Sequence, residues 1–139
     1  MSGVPPLPLP AVDQSTAIWV CDSAQLLDSG LAVRFEVLYL SQRCTAFVLR
    51  YAGQVYAYLN RCTHVPMEMD YLPGAFFDSS GHWLMCATHG AMYAPQTGHC
   101  RFGPCRGGLT AIEVSESEGA VYWHTSDKFQ PIPRHDRPS

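Results

Sequence analysis

Two cysteine–histidine pairs, Cys62-Thr63-His64 and Cys86-Ala87-Thr88-His89, constrain this chain more than any other feature. Each sets a thiol and an imidazole side by side, and 21 residues (65–85) separate the two. Both lie in a stretch, 61–108, crowded with Gly, Pro, Cys, His and Met, where only HWLMC (82–86) has the pattern of a strand. Long loops inside a compact domain are usually functional.

The flanks have a different texture. TAIWV (16–20) reads as a strand, and DSAQLLDSG (22–30) as one short helical turn with Asp22 and Ser23 as cap candidates. LAVRFEVLYL (31–40), TAFVLRY (45–51) and VYAYLN (55–60) are alternating or branched runs separated by turn signals, a β-meander. LTAIEV (109–114), the turn SESEG (115–119) and AVYWH (120–124) predict a closing hairpin. Leu27 and Leu31 are expected in the core, as are Phe76 and Phe77, which anchor the link between the pairs; DSSG (78–81) is a turn, and the methionines of PMEMD pack beneath the first loop or give it an apolar face. The Pro-rich start, 1–15, reads as a flexible arm and 125–139 as a loosely held tail, leaving 16–124 as one all-β domain with a loop-rich insert at about 61–108.

With 139 residues, 47 % apolar and 15 % charged, the chain is long enough for one domain with a core. A net charge near −3 without a basic run makes nucleic acid and anionic membranes poor partners. No apolar run approaches the roughly 18 residues of a membrane-spanning helix, and the start lacks the features of a signal peptide. A cytoplasmic location follows as the expectation, where six cysteines serve as ligands and buried thiols more often than as a disulfide framework.

Thiolate is a soft ligand, and imidazole suits iron, copper and zinc. One tetrahedral zinc site would use all four side chains, but the commoner zinc patterns pair like with like, two cysteines and then two histidines. Here each local pair is mixed. That suits a centre with two metals, each loop lending its cysteine to one and its histidine to the other; in a Rieske centre two histidines replace two cysteines on one iron.

At these residues the chain resembles the Rieske [2Fe–2S] family, most closely the soluble Rieske-type ferredoxins. Cys62-Thr63-His64 and Cys86-Ala87-Thr88-His89-Gly90 match its two boxes, and Tyr93 through Gly98 (YAPQTG) and Gly103-Pro104 match its tyrosine, glycine turn and Gly-Pro loop. The resemblance is specific over 62–104 and looser over 16–124. It implies an antiparallel β-sandwich with a small loop-rich subdomain holding a [2Fe–2S] cluster. Cys62 and Cys86 would hold the inner iron, and His64 and His89 the outer one. Tyr93, Gly90, Gly103 and Pro104 would surround it. The second ring nitrogens of the two histidines would couple electron uptake to proton uptake at high pH.

Departures from the pattern carry information. Respiratory members of the family clamp their loops with a disulfide; here Pro66 or Met67 and Ala87 occupy those places. They also donate hydrogen bonds to the cluster from a serine and a tyrosine; here Ala91 replaces the serine and Tyr93 remains. With one donor fewer, the resemblance implies a reduction potential low in the roughly −150 to +300 mV Rieske window. Cys21 and Cys44, beside strand runs, are expected as buried thiols. The spacing of Cys100 and Cys105 permits a small disulfide or an extra metal site, with free thiols the expectation. His82 and His99 are read as loop or surface residues; His124 and His135 carry no argument.

A centre of this kind moves one electron at a time. No serine–histidine–acid or paired-carboxylate signal accompanies it, and no G-x-G-x-x-G follows a strand, so the chain itself takes no hydride from a nicotinamide. The resulting expectation is a one-electron carrier between a reductase and a terminal oxygenase or another redox enzyme, a component of an oxidoreductase system rather than a stand-alone catalyst. An accessory Rieske subunit of a larger reductase complex is the second reading, and a zinc-stabilised binding module the third.

Overall fold

The computed structural model describes residues 16–61, 68–70, 72–87, 90–104 and 107–133. Within them the regular secondary structure is almost wholly strand. They are β1 (Ala17–Asp22), β2 (Val33–Tyr39), β3 (Gln42–Tyr51), β4 (Gln54–Leu59), β5 (Leu84–Met85), β6 (Met92–Tyr93), β7 (Cys100–Phe102), β8 (Ala111–Ile112), β9 (Val114–Ser117), β10 (Ala120–His124) and β11 (Phe129–Gln130). They form three antiparallel sheets, ordered β1-β10-β9, β11-β2-β3-β4-β8 and β5-β6-β7.

The expected meander is β2-β3-β4. Its hairpins turn at Leu40–Ser41 and Ala52–Gly53, where both central residues have positive φ, the geometry whose twist matches paired strands. Residues 46–49 of β3 form an unbroken buried run, which a strand with one wet face cannot have. Side chains alternate across a strand, so this run feeds two cores. Ala46 and Val48 join Val37, Ala57, Leu59, Ile112, Val121 and Trp123 beneath the β1-β10-β9 sheet. Phe47 and Leu49 point the other way, to Tyr58, Phe76, Leu84, Cys86, Ala91 and Tyr93. The five-stranded sheet is thus a middle layer, with the β5-β6-β7 subdomain on its second face. Phe76 and Phe77 anchor the link as expected. Phe76 stacks on Phe47 with centroids 3.8 Å apart, and Phe77 on Tyr51 at 6.0 Å. Complete burial of a phenylalanine stabilises by about 1.5–3 kcal/mol.

Several expectations change. The short helical turn expected in 22–30 is a 3-10 turn, Ser23–Gln25, capped by Asp22, but the buried leucine is Leu26. Leu27 and Leu31 are 70 % and 66 % exposed, because the turn closed by Gly30 N–H donating to the Leu27 carbonyl holds both out of the core. The run 109–114 is divided between sheets: β8 pairs with β4, and Val114 begins the strand paired with β10. The hairpin turn is therefore shorter than SESEG, since Ser115 to Ser117 belong to β9. Beyond 124 the chain is not all loose: β11 pairs with β2, and Phe129 is buried against Tyr39.

Arg50 ties the layers. Its guanidinium donates to both carboxylate oxygens of Glu116 on β9, at 2.6 and 3.1 Å, and to the carbonyls of Leu26 and Ser23. Those bonds hold the Glu116 carboxyl below its ordinary pKa and raise that of Arg50. Among the described residues no helix is long and apolar enough to cross a membrane.

Candidate metal centre

Strand β5 delivers Cys86 to the end of the subdomain. Its side chain is fully buried and its thiol is free of any disulfide. Cys86 N–H donates to the Ala91 carbonyl at 2.8 Å, and Gly90 N–H returns to the Cys86 carbonyl at 2.9 Å. These two bonds tie together the described ends of the connection from β5 to β6. Gly90 sits at φ +76, a backbone that L side chains adopt only with strain. Thr88 and His89, inside this loop, lie outside the described residues.

Cys62, His64, Pro66 and Met67 also lie outside the described residues, but the stem of their loop does not. Asn60, at the end of β4, donates from Nδ2 to Asp70 Oδ1 at 2.8 Å, and its Oδ1 accepts the Met69 N–H at 2.8 Å. Asp70 Oδ2 accepts the Gly74 N–H at 2.8 Å and lies 3.5 Å from Arg34 Nε. Arg34 Nη2 reaches Glu68 at 2.9 Å. Met69 is fully buried, as expected for a methionine packed beneath the loop. Its carbonyl accepts the Ala87 N–H at 2.8 Å, joining the exit of the first loop to the residue after Cys86.

A third loop completes the end of the subdomain. Gly103, at φ +89, lies so near the second loop that a Cβ there would meet Ala91 Cα at 3.0 Å and the Gly90 carbonyl oxygen at 3.2 Å. Pro104 follows on the exposed side. Ala91 and Tyr93 are both completely buried, in one core with Cys86. Tyr58 docks the subdomain on the middle sheet: its hydroxyl donates to the Pro95 carbonyl at 2.7 Å. Its ring covers Gly98, where a Cβ would approach Tyr58 Cε1 to 2.8 Å. Burial pushes the Tyr58 pKa well up, with a smaller contribution from Tyr56.

Of the other cysteines, Cys21 is buried as expected, and burial, with Asp22 and Glu116 nearby, raises its pKa. Cys44 is only half-buried, with Arg61 Nη2 at 3.6 Å from its sulfur. It lines a charged cleft of about 280 Å³ beside the first-loop stem, with Glu36, Arg43, Arg61 and Glu68 among its walls. Cys100 corrects the free-thiol expectation: it is disulfide-bonded. Here the chain doubles back on itself, Cys100 N–H donating to the Gly107 carbonyl at 2.8 Å and His99 bridging Gly108. Its partner, like Cys105, lies outside the described residues.

His82 and His99 are exposed loop residues, as expected. His124 is buried, both ring nitrogens bonded to hydroxyls of Thr16 and Ser115, and so serves the packing. Asn60 and Asp70 were not singled out by sequence. Their signal is a polar residue at the last position of one apolar run and a carboxylate directly after a core methionine.

A family model described as the Rieske [2Fe–2S] domain matches residues 16–129. No curated protein matches the chain. Among solved structures, the ferredoxin of carbazole 1,9a-dioxygenase from Nocardioides aromaticivorans IC177 superposes with a TM-score of 0.63 at 21 % identity, over 80 % of this chain and 99 % of its own. The ferredoxin of Sphingomonas yanoikuyae B1 gives 0.61 at 22 %, over 79 % and 99 %. The terminal oxygenase of carbazole 1,9a-dioxygenase from Novosphingobium sp. KA1 gives 0.63 at 21 %, over 85 % of this chain but 31 % of its own. With the fold of those proteins and a family match over most of its length, this chain belongs to the Rieske [2Fe–2S] domain family.

Proposed function

We propose that this protein is a one-electron carrier that takes an electron from a reductase and passes it to a terminal oxygenase or a similar redox enzyme. The cofactor of its family is a [2Fe–2S] cluster, and that group, when bound, supplies a one-electron couple. The described donor fits it: Cys86 is a buried cysteine outside any disulfide, following β5 and next to the stem of the first box. In this reading Cys62 and Cys86 hold one iron, and His64 and His89 the other. Gly90 and the Gly103-Pro104 turn let the loops approach closely, and Tyr93 would, by the resemblance, supply a hydroxyl donor. Phe47, Phe76, Leu84 and Tyr93 keep water from the inner side of the site.

The observation that carries this reading is the likeness to ferredoxins, two of which align over 99 % of their own length. Two solved structures of similar fold are complexes of an oxygenase with its ferredoxin in carbazole 1,9a-dioxygenase, which favours an oxygenase as the acceptor. A cytoplasmic location fits this role. The test is reconstitution: the loaded protein should make an oxygenase turn over when a reductase is added, at substoichiometric carrier. Co-purification with a reductase complex at fixed stoichiometry, without such turnover, would instead favour the accessory-subunit reading.

A further inference from the structure

We propose that Asp70 and Arg34 are positioning residues that set the reduction potential of the centre in opposite directions, through the stem shared by the two ligand loops. The proposal rests on the cluster assignment above. Asp70 carries a side chain with no exposure, in a protein where most carboxylates are at the surface. A buried carboxylate persists only where bonds offset its desolvation. Two hydrogen bonds and an ion pair do so here: the N–H groups of Asn60 Nδ2 and Gly74, each at 2.8 Å, and the Arg34 guanidinium, whose Nε lies 3.5 Å away.

The position of this carboxylate is what gives it a role. Asn60 stands immediately before the first ligand loop, and Asp70 closes its far end, so their mutual bond seals the loop at its base. The residue before Asp70, Met69, is bonded through its carbonyl to the N–H of Ala87, next to Cys86. One side chain thus fixes the exit of one loop, and the main chain beside it fixes the second. No disulfide is needed for that tie. The same side chain places a formal negative charge in a low-dielectric interior beside both loops, where interactions between charges are strong. Added electron density at the centre is disfavoured by a nearby carboxylate and favoured by a nearby guanidinium.

Arg34 is only partly exposed, with its side chain at 31 %, and is shared between buried Asp70 and exposed Glu68. Its loss leaves Asp70 less compensated. Two opposite shifts follow. Asp70→Asn keeps the shape and one of the two accepted hydrogen bonds but removes the charge, and should raise the midpoint potential. Arg34→Gln should lower it.

The measurement is a redox titration of the loaded protein and of both variants, read by visible absorption and by the EPR signal of the reduced form. Midpoints displaced to opposite sides of wild type, with iron content and spectrum retained, are the expected result. Unmoved midpoints, or two shifts of the same sign, overturn the proposal. Should Asp70→Asn fail to hold the cluster, Arg34→Gln decides alone: a lower midpoint supports the proposal, and an equal or higher one overturns it. A wild-type protein without an iron–sulfur chromophore would sink the cluster reading itself and the proposal with it, a result distinct from a loaded protein whose potential does not respond.

Discussion

The main-chain N–H of Ala87 donates to the carbonyl of Met69 at 2.8 Å. This bond joins the two loops that carry the Cys–His pairs, and Ala87 is, by the resemblance drawn from sequence, one of the two places where respiratory relatives use a disulfide. A main-chain bond needs no particular side chain, so it survives most substitutions at either residue. Ala87→Pro removes the donor and should cost about 1–3 kcal/mol. The loaded variant should lose its visible absorbance several-fold faster on warming than Ala87→Gly, which keeps the N–H. Equal loss rates for the two would show that the bond does not hold the loops.

Ala91 is completely buried at the position where a serine would donate a hydrogen bond. Ala91→Ser adds one oxygen in place of hydrogen. If its hydroxyl reaches the centre, the reduced and more negative form gains most. A differential of about 1–2 kcal/mol for a charged acceptor corresponds to roughly 40–90 mV upward for a one-electron couple. Redox titration of this variant beside wild type checks it.

Tyr58 predicts an alkaline limit to stability. Its pKa is raised in the folded protein above the ordinary 10.0, chiefly by burial. Between the two values the unfolded chain gives up the phenolic proton and the folded one keeps it. The stability Tyr58 contributes is therefore fully present below about pH 10 and lost progressively above it. Tyr58→Phe should begin less stable by about 1–2 kcal/mol, for the lost bond to Pro95, and its Tm should fall less steeply above pH 10. Parallel Tm–pH curves for the two proteins would contradict this.

The disulfide at Cys100 sets a thiol count. The chain has six cysteines, so one disulfide leaves 6 − 2 = 4 thiols. Alkylation of the denatured, cluster-free protein without reductant should label four, and six after reduction. Peptide mapping identifies the partner. The account requires Cys105, because Cys62 is assigned to iron and Cys21, Cys44 and Cys86 are not in a disulfide. A Cys62–Cys100 bond would contradict the ligand assignment.

Much of this was legible in the sequence. The meander β2-β3-β4 follows from runs of branched and aromatic residues with turns between them, and the paired boxes pointed to the family before any fold was known. What stayed hidden depends on contacts between distant segments. β6 and β7 are two and three residues long, too short for periodicity, and form only by pairing, β6 with both β5 and β7. Leu26 is buried and Leu27 exposed because a turn, not a helix, orients them; composition alone favours neither. Ala111–Ile112 and Val114 belong to different sheets although they read as one run. Asn60 and Asp70 matter only once folding brings residues ten apart into hydrogen-bond contact.

The central claim is a two-iron centre with mixed sulfur and nitrogen ligands, and the EPR spectrum of the dithionite-reduced protein tests it most directly. A rhombic signal with an average g value below that of the free electron, from a red-brown protein holding iron and acid-labile sulfide in equal amounts, is the predicted result. A colourless protein with bound zinc and no such signal, after maturation under conditions that load other iron–sulfur proteins, would contradict it.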